Sequence, residues 1–154
     1  MYIIEDTGQK IGQHKVKNDN FSSMGIVVMR SKLPFGDYAL PPRVAVDTKR
    51  NIEEIAANIC GSTREHQRFK RECVRAKEAG SRLYFLIENE VGITNIDEVH
   101  TWVNPNCIYN PQCVQGERLE KAMKTMRDRY GCEFLFCKPD EAAVIIKDLL
   151  MGGS

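Results

Sequence analysis

The sequence has no apolar run long enough to cross a membrane, and its first residues lack the pattern of a signal peptide. We therefore expect a soluble, cytoplasmic protein with no membrane partner. A strong net charge is also missing, since 22 basic residues stand against 21 acidic ones. The overall charge thus gives no indication of a nucleic-acid partner.

Closely spaced cysteine pairs are missing as well, although the chain contains 6 cysteines. The nearest pairs, Cys107 with Cys113 and Cys132 with Cys137, are further apart than the cysteines of a usual zinc knuckle. A structural zinc site stays open only as an alternative. No disulfide framework is indicated, so we expect reduced thiols. The cysteines predicted to pack as small apolar side chains are Cys60, Cys73, Cys132 and Cys137.

Internal repeats are also absent, and a length of 154 residues fits one domain with a sizeable core. We predict a single domain over residues 1–150 and a tail over residues 151–154. Apolar patterning predicts strands at 2–5, 25–38, 44–49, 83–87 and 133–137, and helices beginning near residue 51 and at 64–79, 96–102, 117–130 and 139–150. The polar residues 8–23 are predicted to form a loop, Pro41-Pro42 a turn, and residues 104–115 an irregular insertion. The class is α/β, with a mixed β-sheet flanked by α-helices.

The stretch from Pro34 to Glu54, PFGDYALPPRVAVDTKRNIEE, carries the most informative residues. Alternation along the strand at residues 44–49 places Asp47 and Lys49 on one face. Asp37 is predicted at the end of the neighbouring strand, within reach of the same place. Two carboxylates and one ammonium at the edge of a sheet form a site suited to a divalent cation and a phosphodiester.

These residues also resemble a family motif. The pattern of Gly36-Asp37, then Asp47-Thr48-Lys49, then Glu53, resembles the nuclease domain of the XPF family. That family belongs to the restriction-endonuclease-like group with its PD-(D/E)xK motif. The family usually has Glu-Arg-Lys where this chain has Asp47-Thr48-Lys49, and Asp where it has Glu53. The resemblance covers roughly residues 2–90, and it implies a restriction-endonuclease-like mixed sheet flanked by helices.

The resemblance implies a catalytic set of Asp37, Asp47 and Lys49. Mg²⁺, or Mn²⁺ in its place, would be bound by the two carboxylates and the backbone carbonyl of Thr48. Lys49 would orient the attacking water or stabilise the developing negative charge. Because it lies beside two acids, Lys49 is expected to stay protonated.

The first strand of the family ends in Asp-x-Arg-Glu, and Asp6 falls at the Asp of that motif. Asp6 is thus a predicted further metal ligand, or it only opens a turn, which is ordinary chemistry for Asp before Gly. Gly8 and Gln9 stand where the family has Arg and Glu. The residues expected to support the metal ligands are Gln9, Glu53 and Glu88.

The residues from Arg64 to Arg82 include seven Lys or Arg and three Glu, a local net charge of +4. Basic surfaces of this kind track phosphates. The resemblance therefore implies a metal-dependent DNA endonuclease of recombination or repair, specific for branched, flap or junction DNA. The residues expected to contact DNA are Arg50, Arg64, Arg68, Arg71 and Arg75.

Relatives usually work as dimers and often carry a helix-hairpin-helix module, which is not evident here. Affinity would then come from this domain, from a homodimer or from a separate partner. In size and charge the chain resembles small phage or bacterial recombination nucleases. The alternative is a catalytically inactive DNA-binding or scaffolding module with the same fold, favoured by Gly8 and Gln9 in place of the charged pair.

Overall fold

The computed structural model describes residues 2–40 and 44–152, so the predicted turn at Pro41-Pro42 lies outside the described residues. One six-stranded mixed sheet has the strand order β2-β1-β3-β4-β5-β6. Strand β3 pairs antiparallel with both β1 and β4, and the other three pairs are parallel. The strands are β1 Tyr2–Asp6, β2 Val27–Ser31, β3 Tyr38–Leu40, β4 Val44–Lys49, β5 Arg82–Glu88 and β6 Glu133–Cys137.

Helices cover both faces of this sheet, which confirms the predicted α/β class. Short 3₁₀ helices occupy Ile96–Thr101, Pro105–Ile108 and Pro139–Glu141. Within the described ranges, no helix is long and apolar enough to cross a membrane. The α-helices are α1 Lys15–Ser23, α2 Ile52–Cys60, α3 Thr63–Glu78, α4 Gly116–Tyr130 and α5 Ala142–Leu150.

The core has two parts, one on each face of the sheet. Helices α2, α3 and α4 cover the first, where the ring of Phe85 lies 4.5 Å from that of Phe69 and 5.4 Å from that of Phe134. Helices α1 and α5 cover the second, which includes Phe21 and Leu86. Strand β5 supplies Phe85 to one part and Leu86 to the other. It is therefore buried on both faces, as its continuous apolar run predicts.

The prediction of a loop over residues 8–23 is wrong, because α1 occupies Lys15–Ser23. Only Phe21 of this helix is buried, so no apolar stripe marks it in the sequence. Polar contacts replace that stripe. Asn18 donates to buried Glu5 at 2.6 Å and accepts from the Tyr38 hydroxyl at 2.8 Å.

The prediction of one strand over residues 25–38 is also wrong. Strand β2 pairs in parallel with β1 at the edge of the sheet, and β3 begins only at Tyr38. Residues 32–37 cross from one to the other. Gly36, at φ 77°, adopts a conformation that interrupts a strand. Asp37 therefore precedes a strand instead of ending one.

The expectation of reduced cysteines is wrong for one pair, because Cys107 and Cys113 form a disulfide with a Cα–Cα distance of 5.3 Å. The 3₁₀ helix Pro105–Ile108 and the turn after it bring the two residues together. The other four cysteines are free, and Cys73, Cys132 and Cys137 are buried, as predicted.

Candidate active site

Strand β4 delivers Asp47 and Lys49 to the same face of the sheet, as the alternation predicts. Ala45 packs on the face of the sheet covered by α2, α3 and α4, and Val46 packs on the opposite face. Because side chains alternate along a strand, Asp47 and Lys49 lie on the same face as Ala45. The Nζ of Lys49 lies 3.2 Å from Oδ1 of Asp47, and both side chains are only 11% exposed. The pair is nearly buried at the carboxyl end of the strand.

Asp37 joins this pair from the start of β3. The backbone N–H and the hydroxyl of Thr48 both donate to Oδ2 of Asp37 at 2.8 Å, and the Gln9 amide donates to Oδ1. A Cβ on Gly36 would lie 3.1 Å from the Cβ of Ala45, so glycine lets the chain pass close over β4. Thr48, where the family usually has a basic residue, thus orients Asp37.

Glu72 of α3 completes an acidic cluster that we define as Asp37, Asp47 and Glu72. One of its oxygens accepts from the Gly36 N–H at 2.8 Å, and its carboxyl lies close enough to Asp47 for the two charges to repel. Sequence reasoning missed this residue. The available signal was its position three residues after buried Phe69, on the inward face of a helix.

Burial and repulsion from Asp47 raise the pKa values of Asp37 and Glu72. Burial first, and the Asp47 charge second, raise the pKa of Asp37 to about 7, although hydrogen bonds from Thr48 oppose this. The same two causes raise the pKa of Glu72 well above its ordinary value. Burial lowers the pKa of Lys49, but Asp47, Glu72 and Asp37 outweigh it, so the net shift is upward. The site therefore holds a protonated lysine and three acids that cannot all ionise together without a cation to compensate them.

Helix α1 closes the other side of the site with residues that sequence reasoning did not select. Nε2 of His14 lies 3.2 Å from Oε1 of Gln9, whose amide donates to Asp37. Burial, and then the Lys17 charge, lower the pKa of His14. Lys17 forms a nearly buried ion pair with Glu88, at 2.7 Å between Nζ and Oε2. Gln9 and Glu88 both line the cavity on this side of the site.

Two adjoining cavities of about 400 and 680 Å³ share Asp37, Asp47, Lys49, Arg68 and Glu72, and together we call them the site cleft. The smaller cavity is also lined by Asp6 and by two further arginines of α3, and the larger by Arg50. Two predicted residues, Arg64 and Glu53, line neither cavity. The cleft therefore combines buried acids with a basic rim of Arg50, Arg68, Arg71 and Arg75.

Asp6 lies at the margin of this cleft and is already engaged. Its Oδ1 accepts from the Leu33 N–H at 2.9 Å, and its carbonyl accepts from the Gln9 N–H in a turn. A Cβ on Gly8 would lie 2.6 Å from Oδ2 of Asp6, so the carboxylate fills the space where the family has an arginine. Asp6 therefore both opens a turn and borders the site cleft.

The donor set fits a hard divalent cation that also contacts substrate. Across residues 2–40 and 44–152, no three His, Cys, Asp or Glu side chains converge closely enough to hold a metal ion alone. Mg²⁺, however, is usually bound through one or two carboxylates together with substrate phosphates and waters. Asp37 and Asp47 meet that requirement, and the raised pKa of Asp37 reflects burial first and repulsion from Asp47 second, both of which a bound cation would offset.

The shift at Asp37 predicts a pH dependence of stability without metal. The folded protein keeps this carboxyl protonated up to about pH 7, whereas the unfolded chain releases the proton near 3.8. The free energy of unfolding should therefore fall as the pH rises through that window. Asp37→Asn, which cannot ionise, should flatten the fall. Urea unfolding at several pH values in the presence of a chelator measures both, and identical curves would contradict the assigned shift.

Comparison with known proteins places this geometry in a family. The ERCC4 domain family matches residues 5–149. The chain belongs to the ERCC4 domain family. A comparison with curated proteins gave no match.

Solved structures agree with this ERCC4 domain assignment in fold. The chain is similar to XPF from Aeropyrum pernix in complex with DNA, at 17% identity and a TM-score of 0.68. It is also similar to another structure of XPF from that organism, at 18% identity and a TM-score of 0.69. Each match covers 97% of this chain and 63% of the other, so this ERCC4 domain spans under two thirds of those chains. The resemblance to the XPF nuclease domain and its fold is thereby confirmed.

Proposed function

We propose that this protein is a metal-dependent DNA endonuclease that hydrolyses phosphodiester bonds in branched, flap or junction DNA. One observation carries the proposal: Asp37, Asp47 and Glu72 meet protonated Lys49 in a single cleft. A buried excess of negative charge is costly unless a cation or a proton compensates it. The basic rim beside it suits a phosphate backbone.

The proposed roles follow from position. Asp37 and Asp47, with the backbone carbonyl of Thr48 and with Asp6 at the margin, would hold Mg²⁺ or Mn²⁺. That ion would polarise the phosphoryl oxygens and activate a water. Gln9 and Thr48 fix the Asp37 carboxylate by hydrogen bonds. The Lys49 ammonium stands 3.2 Å from Asp47, where it stabilises charge developing on the phosphate.

Lys49 acts in this scheme as a fixed positive charge, not as a base. Its pKa lies above the ordinary lysine value, so it cannot accept a proton near neutral pH. Glu72 lies beside Asp47 and Lys49 in the same cleft and accepts from the Gly36 N–H, so it holds that turn against the site. Glu88, paired with Lys17, lies on the α1 side of the same cleft.

A cleavage assay tests the proposal. The protein is incubated with a flap, a four-way junction and a linear duplex of related sequence, in Mg²⁺, in Mn²⁺ and in a chelator. We expect cleavage of the branched substrates, near the branch, in either metal, and none in the chelator. Binding of branched DNA without cleavage under all conditions would favour the inactive module instead.

One observation favours that second candidate, a DNA-binding or scaffolding module. Both oxygens of Asp37 already accept hydrogen bonds, from Thr48 and from Gln9. The Thr48 hydroxyl and the Gln9 amide are uncharged donors at positions where the family usually has charged side chains. A carboxylate has about four lone-pair sites, so these bonds still leave room for a metal ion.

The basic rim predicts a change in DNA affinity. Replacing Arg68 and Arg71 together with Ala should weaken binding and reduce the slope of log K against log salt by about two, because roughly one counterion is released for each phosphate contact. Anisotropy titrations at several salt concentrations measure this slope.

The matched control replaces Arg82 and Arg118, which are exposed and line neither cavity of the site cleft. Net charge changes equally in the two double variants. Equal slopes in both would mean that the α3 rim does not contact DNA.

A further inference from the structure

A second cleft of about 400 Å³ adjoins the site cleft, and we call it the outer cleft. Arg50, which follows Lys49 in the chain, lines both. The outer cleft is formed where three neighbouring parallel strands, β4, β5 and β6, reach their carboxyl ends. Ligands of open α/β sheets bind outside the carboxyl ends of strands. The outer cleft therefore lies where it can receive part of the DNA that is proposed to bind in the site cleft.

The outer cleft is lined by both apolar and acidic side chains. Ile52 and Trp102 are buried at 1% and 5% exposure, and Val91 stands 67% exposed beside them. Glu53 and Glu90 are the acidic side chains of the lining. Neither carboxylate lies within 4.0 Å of a basic side chain in the part of the chain that the structure describes.

The polar side chains that frame the outer cleft are fixed from within. Oδ1 of Asn51 caps α2 by accepting from the Glu54 N–H at 2.9 Å. The Asn89 amide binds the N–H and the carbonyl of Ile93, at 3.1 and 2.9 Å. The opening is thus preformed, which lowers the entropy that binding has to overcome.

This chemistry selects one part of a nucleotide. Two unpaired carboxylates repel a phosphate, so the outer cleft does not hold the DNA backbone. Arg50, at its junction with the site cleft, suits the phosphate between two nucleotides. The apolar side chains of the lining suit a base, and carboxylates accept hydrogen bonds from exocyclic amino groups such as that of cytosine. In a duplex the face of a base is stacked and its Watson–Crick edge is paired, so only an unpaired base can enter the outer cleft.

We propose that the outer cleft binds one unpaired base of the nucleotide next to the scissile phosphate, with a preference for amino-bearing bases over thymine. The inference rests on the proposed function, because it takes DNA in the site cleft as its starting point. It goes beyond that function by naming the nucleotide that is read. An unpaired base is available at a branch or flap and not within a duplex, so this subsite would contribute to recognition of DNA shape.

The fluorescence of Trp102 gives a direct test of base binding, because Trp102 is the single tryptophan of the sequence and lines the outer cleft. Intrinsic fluorescence is followed during titration with a short oligo(dC), an oligo(dT) and an oligonucleotide of the same length that lacks bases, all in a chelator. Anisotropy of labelled copies reports binding separately. We expect a saturable change in Trp102 emission with oligo(dC), and affinity about tenfold higher than for the baseless strand.

A double variant tests whether Glu53 and Glu90 select the base. Glu53→Met with Glu90→Met keeps side-chain length and removes the acceptors, so the preference for oligo(dC) over oligo(dT) should be lost. The control is Glu78→Met with Glu133→Met, which removes two exposed acids elsewhere and should keep the preference.

Two results would overturn the subsite and leave the proposed function standing. One is binding of all three strands with equal affinity. The other is a Trp102 response to the baseless strand as large as the response to oligo(dC). Failure of every strand to bind in the anisotropy measurement would also overturn the subsite, whereas the proposed function is tested separately by cleavage of branched DNA in Mg²⁺ or Mn²⁺.

Discussion

Asp47→Asn is expected to reduce the rate of DNA cleavage by about 10²–10³-fold, the usual cost of removing one preorganised charged group from an active site. Asn keeps the shape of the side chain but removes the charge that pairs with Lys49 and assists metal binding. DNA affinity should persist, because the basic rim is untouched. Single-turnover cleavage and anisotropy, measured on the same preparation, separate the two effects.

Asp128→Asn is the matched control, because Asp128 is an acid of α4 whose side chain is 74% exposed and pairs only with neighbouring Arg127 among the described residues. Both rate and affinity should stay at the wild-type level in this variant. Unchanged cleavage by Asp47→Asn would contradict the proposed catalytic role.

Phe85→Ala is expected to lower the free energy of unfolding by about 3–5 kcal/mol, as large-to-small changes at buried aromatic positions do. Phe85 is fully buried on β5, and its ring packs against those of Phe69 and Phe134. The cavity would lie between the sheet and α3, the helix that carries Glu72. Urea unfolding monitored by circular dichroism measures the loss.

Tyr109→Ala supplies the comparison for this substitution. Tyr109 is 90% exposed, so removing its ring should change stability by less than about 0.5 kcal/mol. A loss in Phe85→Ala no larger than that in Tyr109→Ala would mean that the three rings do not hold α3 on the sheet.

The local patterns that proved predictive were those in which one residue type has one physical role. Alternation along β4 placed Asp47 and Lys49 correctly, because side chains of a strand point to opposite faces in turn. The apolar run of β5 predicted burial on both faces. The predicted start of a helix near residue 51 is also confirmed, because α2 begins at Ile52 and the Asn51 side chain caps it.

The features that sequence reasoning missed depend on contacts between distant residues. Helix α1 buries Phe21 alone and is held by polar pairs such as Lys17 with Glu88, so no periodicity marks it. Glu72 resembles any helix acid until the fold brings it beside Asp47. Strand β2 pairs with β1 and not with β3, and this pairing depends on contacts between residues far apart in the sequence.

Calorimetric titration of Mn²⁺ into the wild type, Asp37→Asn and Asp47→Asn tests most directly whether the acidic cluster holds a divalent cation. We expect saturable binding at one site in the wild type, tighter at pH 8 than at pH 6, because Asp37 ionises with a pKa of about 7. Both variants should bind much more weakly. Equal heats and affinities in all three proteins, or no binding in the presence of DNA, would contradict the account.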